Sequence, residues 1–276
     1  MTALITVSPE EFSQGAFTPE SLNQALALYN ASGYLAIDNA LDVDFIRQLR
    51  ESYQAAYGHL TEEEIEKTNL NVGDHRFMIS PAIKPPFFDP RLYANAFVMP
   101  LLEKLLEPGF LINSLTCVTS YPGAKEQHLH ADHPPLFPQK TLGASLDPYA
   151  ITVAIPLLDL DEKTGTTAML PGTHAHVALA DIKHDRARHE LPYGRMGSCY
   201  FMDYRLWHYG TANVSEHPRP IVYIVYSRSW FVDATNFAKQ PPVKIHPSEM
   251  VRIPPQHFGL FKRVLQNTSN TMALAS

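Results

Sequence analysis

The sequence predicts a mainly β fold with flanking helices, an antiparallel sandwich or barrel buttressed by an N-terminal helical region. Three observations carry this. Amphipathic segments with capping signals crowd the part before Pro108-Gly109; the apolar segments after it are short and rich in Val, Ile, Thr, Tyr and Phe; and no helical repeat alternates between those later segments. The last point argues against a parallel α/β sheet. Residues 1–276 read as a single domain, with 1–109 a mostly helical buttress, 110–232 the β core and 233–276 a C-terminal extension.

Ser8-Pro9-Glu10-Glu11 has the form of a capping box with proline at the first helical position, and Thr18-Pro19 opens a second helix. Leu22, Ala25, Leu26 and Tyr29 follow helical spacing, and Gly33 stands where a left-handed cap would end that helix. Tyr34 to Ile37 reads as a strand. Asp42 then caps a helix carrying Phe45, Ile46, Leu49 and Tyr53 and ending at Gly58. Residues 59–90 start with another capping box, Thr61 to Glu64, and turn rich in Pro, Phe and His, which reads as a long surface excursion. His75 and Arg76 sit in it, placed either to meet a substrate or to face solvent. A last helix covers about 91–106.

The strands expected next are LINSLTCVTSY, AITVAIPLLDL, TTAMLP, SCYFMD and RPIVYIVYSRSWF. Residues 232–276 show no clear periodicity and are expected to be ordered where they dock. Trp207 and Trp230 are expected in the core.

Composition narrows the function. Hydrophobic residues at 45% and charged residues at 18% are ordinary globular usage, and no repeat or low-complexity tract appears. The net charge of −6 includes no run of Lys or Arg, which argues against nucleic acid or an anionic membrane as partner and favours a small molecule. MTALITVSPEEF lacks a basic segment followed by an apolar one, and no apolar run nears the roughly 18–20 residues that span a bilayer, so a soluble, cytoplasmic protein is expected. Cys117 and Cys199 lie outside any CxxC pattern and read as small buried hydrophobes. Oligomeric state is left open.

Gln127-His128-Leu129-His130-Ala131-Asp132-His133 holds three of thirteen histidines within six residues. In extended backbone, residues two apart point the same way, so His130 and Asp132 can aim an imidazole nitrogen and a carboxylate oxygen at one point. Two histidines and one carboxylate leave three adjacent positions open on iron(II), enough for a chelating co-substrate and oxygen. His208, after an apolar strand and before Gly-Thr-Ala-Asn, is the candidate third ligand. Arg219 lies eleven residues on and opens the last long strand; a planar guanidinium there suits a bidentate carboxylate.

In these residues the chain resembles the phytanoyl-CoA dioxygenase family of iron(II)/2-oxoglutarate oxygenases, over roughly residues 30 to 232. Gln127, His130-x-Asp132, Gly165 to His174 with its PGTH turn, His208 and Arg219 carry the resemblance, in the family's order. It implies a double-stranded β-helix core, a cupin-like jelly roll with helices outside. It also implies Fe(II), 2-oxoglutarate and O2 as cofactor and co-substrates. Arg219 would bind the distal carboxylate of 2-oxoglutarate, with Gln127 and Thr167 lining it. The implied reaction couples decarboxylation of 2-oxoglutarate to oxidation of a C–H bond of a small metabolite, by default hydroxylation, possible in secondary metabolism. Asp132 stands where related halogenases carry a small residue, which disfavours halogenation. No basic patch suits the phosphates of coenzyme A.

Two other readings stay open at this point. HLHADH fits the HxHxDH string of metallo-β-lactamase-type zinc hydrolases, with ligands His128, His130, Asp132 and His133; there the string starts a helix, whereas here Pro134-Pro135 follow. A non-catalytic cupin-type binding module keeps the barrel and leaves Arg219 without a role. His128 and His133 otherwise read as outer or surface histidines, and His174 as the brace of a turn.

Overall fold

Side-chain caps set the start of the first four helices in this computed structural model, which describes residues 2–137, 139, 142, 145–175, 188–234, 236, 243 and 245–264. Ser8, Thr18, Asp42 and Thr61 each accept a backbone N–H, at the heads of α1 (Pro9–Gln14), α2 (Pro19–Ser32), α3 (Val43–Tyr57) and α4 (Glu62–Thr68). The boxes expected at Ser8 and Thr61 are both present. Gly33 ends α2 at φ 78°, as its position suggested, and a Cβ there would lie 2.3 Å from His174 Nδ1. His174 thus packs on the helix end. Phe45, Ile46 and Leu49 on α3 are fully buried, each worth ~1.5–3 kcal/mol.

The strands among the described residues are β1 (Leu4–Thr6), β2 (Tyr34–Asp38), β3 (Leu70–Gly73), β4 (Arg76–Ile79), β5 (Leu111–Ser120), β6 (Ala150–Pro156), β7 (Thr167–Met169), β8 (Cys199–Asp203), β9 (His208–Gly210) and β10 (Arg219–Ser227). Eight form one sheet in the order β1-β2-β8-β6-β10-β5-β4-β3, and β7 pairs with β9 in a second. Only the β1–β2 pair is parallel. Alternation of side chains divides the large sheet: Leu115, Cys117, Ile151, Val153, Val222 and Ile224 pack toward the helices, while their neighbours face the small sheet across a cavity.

The excursion expected over 59–90 is instead partly regular. β3 and β4 extend the large sheet, and the register Arg76↔Ser120 to Ile79↔Cys117 seats β4 on β5. Short strands broken by Gly73 and followed by prolines carry too little alternation to stand out from a loop. Arg76 is 1% exposed, so the solvated alternative for it fails, whereas His75 is exposed and meets Glu62 at 2.8 Å. The helix expected over 91–106 divides into α5 (Pro90–Tyr93) and α6 (Met99–Leu106). Asn95 Oδ1 takes the backbone N–H groups of Phe97 and Val98, and Pro100 cannot donate into a continuous helix.

In the C-terminal extension a short helix, α7 (Pro247–Met250), and a 3-10 helix over Pro255–Phe261 are ordered, and the latter buries Leu260 and Phe261 in the main core. Both cysteines are buried and free. Trp230 corrects the expected core position: it is 61% exposed, lying beyond the end of β10, and Trp207 is half-buried. No helix among the described residues is long and apolar enough to cross a membrane.

Candidate metal centre

The HLHADH segment meets β9 edge to edge. His130 N donates to His208 O at 3.0 Å and His208 N to His130 O at 2.8 Å, an isolated antiparallel bridge that sets two histidines far apart in sequence side by side. Their rings lie 4.6 Å apart between centroids. His208 therefore belongs to a short strand of its own. Asp132 Oδ1 lies 3.5 Å from His208 Nε2. One ligand atom from each of His130, Asp132 and His208 falls within 4.8 Å of the others, a spacing one metal ion could bridge.

The surroundings leave these groups able to serve as ligands. Nδ1 of His130 sits 2.9 Å from His128 O, and Nδ1 of His208 2.9 Å from Leu206 O. A carbonyl can only accept, so each Nδ1 carries the proton and each Nε2 keeps its lone pair. Burial and the adjacent His208 imidazole push His130 down to about 4, so its ring stays neutral at physiological pH. Thr152 Oγ1 donates to Asp132 Oδ2 at 3.1 Å and leaves Oδ1 for the shared point. Asn236 Nδ2 donates to the Asp132 backbone carbonyl and to buried Asp233, which also accepts from Tyr204.

All three donors open on a cavity of about 560 Å³ between the sheets, which Arg76 and Arg219 also line. Arg219 is 3% exposed. It donates to Thr164 O at 2.7 Å, Ser120 Oγ at 3.0 Å and Thr211 O at 3.1 Å, and its buried Nε–H has no partner among the described residues. Arg76 donates to the same Ser120 Oγ at 2.7 Å and Thr211 O at 2.9 Å. Among the described residues no carboxylate stands within ion-pair distance of either guanidinium. Burial and the neighbouring Arg76 charge lower Arg219 to about 10. Buried, unpaired positive charge is costly, and an anion in the cavity would relieve it. Gly165, at φ +76°, makes room: a Cβ there would lie 2.3 Å from Arg219 Nη1.

The other expected residues divide. Thr167 Oγ1 lines the cavity 3.3 Å from Tyr223 OH. Gln127 also lines it, but its amide spans two strands, donating to Val72 O at 2.7 Å and accepting from Gly210 N at 2.9 Å. The PGTH turn acts beneath β9: Thr173 Oγ1 accepts from Trp207 N at 3.0 Å, one residue before His208. His128 is exposed, and His133 turns away to pack against Tyr204 and Phe231. The dinuclear set required for a zinc hydrolase is therefore not assembled among the described residues. Thr152, Ser120, Tyr223 and Asn236 had no sequence signal, because single hydroxyl, phenol and amide residues gain meaning only from what they face.

Residues 29–221 match the family described as phytanoyl-CoA dioxygenase (PhyH). The chain belongs to the phytanoyl-CoA dioxygenase family. A relative named dioxygenase af480, from Aspergillus fumigatus, is 26% identical over 175 residues, or 60% of this chain. The match spans 55% of that curated relative's length. The epimerase SnoN from nogalamycin biosynthesis, solved with Fe3+, alpha ketoglutarate and nogalamycin RO, superposes with a TM-score of 0.60 at 18% identity, covering 82% of this chain and 91% of that one. EctD from S. alaskensis, solved with 2-oxoglutarate and 5-hydroxyectoine, gives 0.57 at 16% identity, covering 77% and 76%. Across such distances likeness establishes the fold, which this member of the family shares with iron- and 2-oxoglutarate-dependent enzymes.

Proposed function

We propose that the chain is an iron(II)- and 2-oxoglutarate-dependent dioxygenase. Its reaction couples oxidative decarboxylation of 2-oxoglutarate to C–H oxidation, by default hydroxylation, of a small metabolite. One observation carries the reading: a face of three metal donors and a buried arginine without a carboxylate partner share a single cavity. His130, Asp132 and His208 would hold the metal, with the Nε2 lone pairs of both histidines and Oδ1 of Asp132 left available for it. Iron(II), when bound, supplies the redox chemistry that activates oxygen.

The chain's own residues do the positioning. Arg219 would take the distal carboxylate of 2-oxoglutarate at its end of the cavity, while Thr164 O, Thr211 O and Ser120 Oγ keep the guanidinium from swinging away. Thr167 and Tyr223 line the same cavity and would flank the co-substrate, and Gln127 keeps β3 against β9 along that wall. A role in secondary metabolism is supported by the SnoN likeness at the level of fold.

Succinate release by protein loaded anaerobically with iron(II), then given 2-oxoglutarate and oxygen, tests this. Asp132→Ala and His208→Ala should lose both bound metal and turnover, and Arg219→Met should raise the 2-oxoglutarate requirement by roughly 30-fold or more, as expected for a desolvated charge pair. Zinc-dependent hydrolysis without any 2-oxoglutarate requirement would refute the reading.

A further inference from the structure

The cavity wall beyond the co-substrate site has its own chemical character. β5 turns Ser114, Thr116, Val118 and Ser120 toward the cavity, and Ser120 is committed to the two arginines. Ser114 and Thr116 are not. They are 3% and 2% exposed, line the cavity, and their hydroxyls have no hydrogen-bond partner among the described residues. Both hydroxyls therefore open into the cavity, free to donate to or accept from a molecule that fills it.

Strand register places this wall relative to the metal. Thr152 on β6, which holds Asp132, pairs with Val225 on β10, and Val225 pairs with Ser114 on β5. Two inter-strand steps thus separate Ser114 from Thr152, roughly 10 Å. Thr116 pairs with Tyr223, on the side toward Arg219. Around the hydroxyls the described lining is largely apolar, with Met78, Val118, Met202, Ile221 and Val225 beside the rings of Tyr204 and Tyr223. Among the described lining residues the formal charges are Asp132, Arg76 and Arg219, all engaged by the metal and co-substrate end. A charged group lying against Ser114 would lose its hydration and find no counter-ion among the described lining residues.

We infer that the second substrate is an uncharged, largely hydrocarbon molecule bearing an oxygen function, such as a ketone, lactone or hydroxyl, that Ser114 and Thr116 bind several bonds away from the oxidised carbon. This rests on the oxygenase reading above. The apolar wall supplies affinity through burial, and the two hydroxyls fix orientation, so that one face of the molecule is turned to the metal.

The test uses the full chain loaded with zinc(II) and 2-oxoglutarate, which prevents turnover, and ligand-observed NMR with three probes on one skeleton: 2-decalone, decalin and decahydronaphthalene-2-carboxylate. The ketone should bind more tightly than the hydrocarbon, and the carboxylate least of all. Ser114→Ala and Thr116→Val should each weaken the ketone about three- to tenfold without changing decalin binding, as removal of one hydrogen bond requires. If the carboxylate binds as well as the ketone, if the ketone fails to bind, or if neither variant weakens it, the inference is wrong. 2-Oxoglutarate binding to the wild type is measured in the same samples. Its presence confines any such failure to the substrate inference, and its absence removes the oxygenase reading as well.

Discussion

Thr152→Val isolates how far the fold prepares Asp132 for its role. Thr152 is 3% exposed, and valine nearly matches its volume, so the change removes one donor and little else. The lost bond, Oγ1 to Asp132 Oδ2 at 3.1 Å, is made to an ionised acceptor, for which ~1.5–3 kcal/mol is typical. At about 1.4 kcal/mol per tenfold, that corresponds to roughly 10- to 100-fold in metal affinity, the range seen when partners of metal ligands are removed. The Asp132 side chain is 24% exposed, so water can replace part of the bond, and the lower end, about tenfold, is expected. Anaerobic titration with cobalt(II), followed by its visible absorption, measures this, and Thr152→Ser should restore the wild-type value. If the valine variant binds cobalt(II) as tightly as the wild type, Thr152 does not orient the carboxylate. If serine fails to rescue, packing rather than the hydroxyl is responsible.

Other perturbations probe neighbouring parts of the argument. Gly165→Ala forces a Cβ to 2.2 Å from Ala212 O and 2.3 Å from Arg219 Nη1 at φ +76°, and should cost about 3 kcal/mol or more in urea unfolding and weaken 2-oxoglutarate binding together. Burial pushes Cys117 up to about 12 and raises Cys199 further, so neither thiol should react with Ellman's reagent in the native protein, and both should react after denaturation. Burial alone would raise the Glu11 carboxyl, but bonds from Thr18 N, Ser8 N and nearby hydroxyls outweigh it and hold the group at about 2 instead of 4.5. A lowered folded-state value means stability that is present above pH 4.5 and lost as pH falls toward 2, so Glu11→Gln should flatten the pH dependence of unfolding across that window.

What could be read from the sequence was what local rules encode. Ser8, Thr18, Asp42 and Thr61 announced their helices because an N-cap needs only its own side chain and a backbone N–H within three residues. The long strands β5, β6 and β10 announced themselves by run length and β-branched content. His130 and Asp132 were legible for the same reason, since two residues on one face of extended chain converge whatever lies elsewhere. β3 and β4 were not, because a four-residue strand at a sheet edge owes its existence to its neighbour and leaves almost no pattern of its own.

The arginine end of the cavity shows why the rest needed coordinates. Arg219 was singled out by its distance from His208, a relation along the chain. Arg76 stood 143 residues from it in sequence, inside a stretch that read as a loop, yet the register Arg76↔Ser120↔Arg219 sets all three side by side across β4, β5 and β10. Ser120 Oγ then accepts from both guanidiniums, and Thr211 O accepts from both as well. A hydroxyl and a carbonyl can order two cations but cannot neutralise them. The fold therefore holds a standing requirement for negative charge at a point that no carboxylate of the described chain fills. That requirement arises from strand pairing, not from either arginine alone, and it lies in the same cavity as the three candidate metal donors.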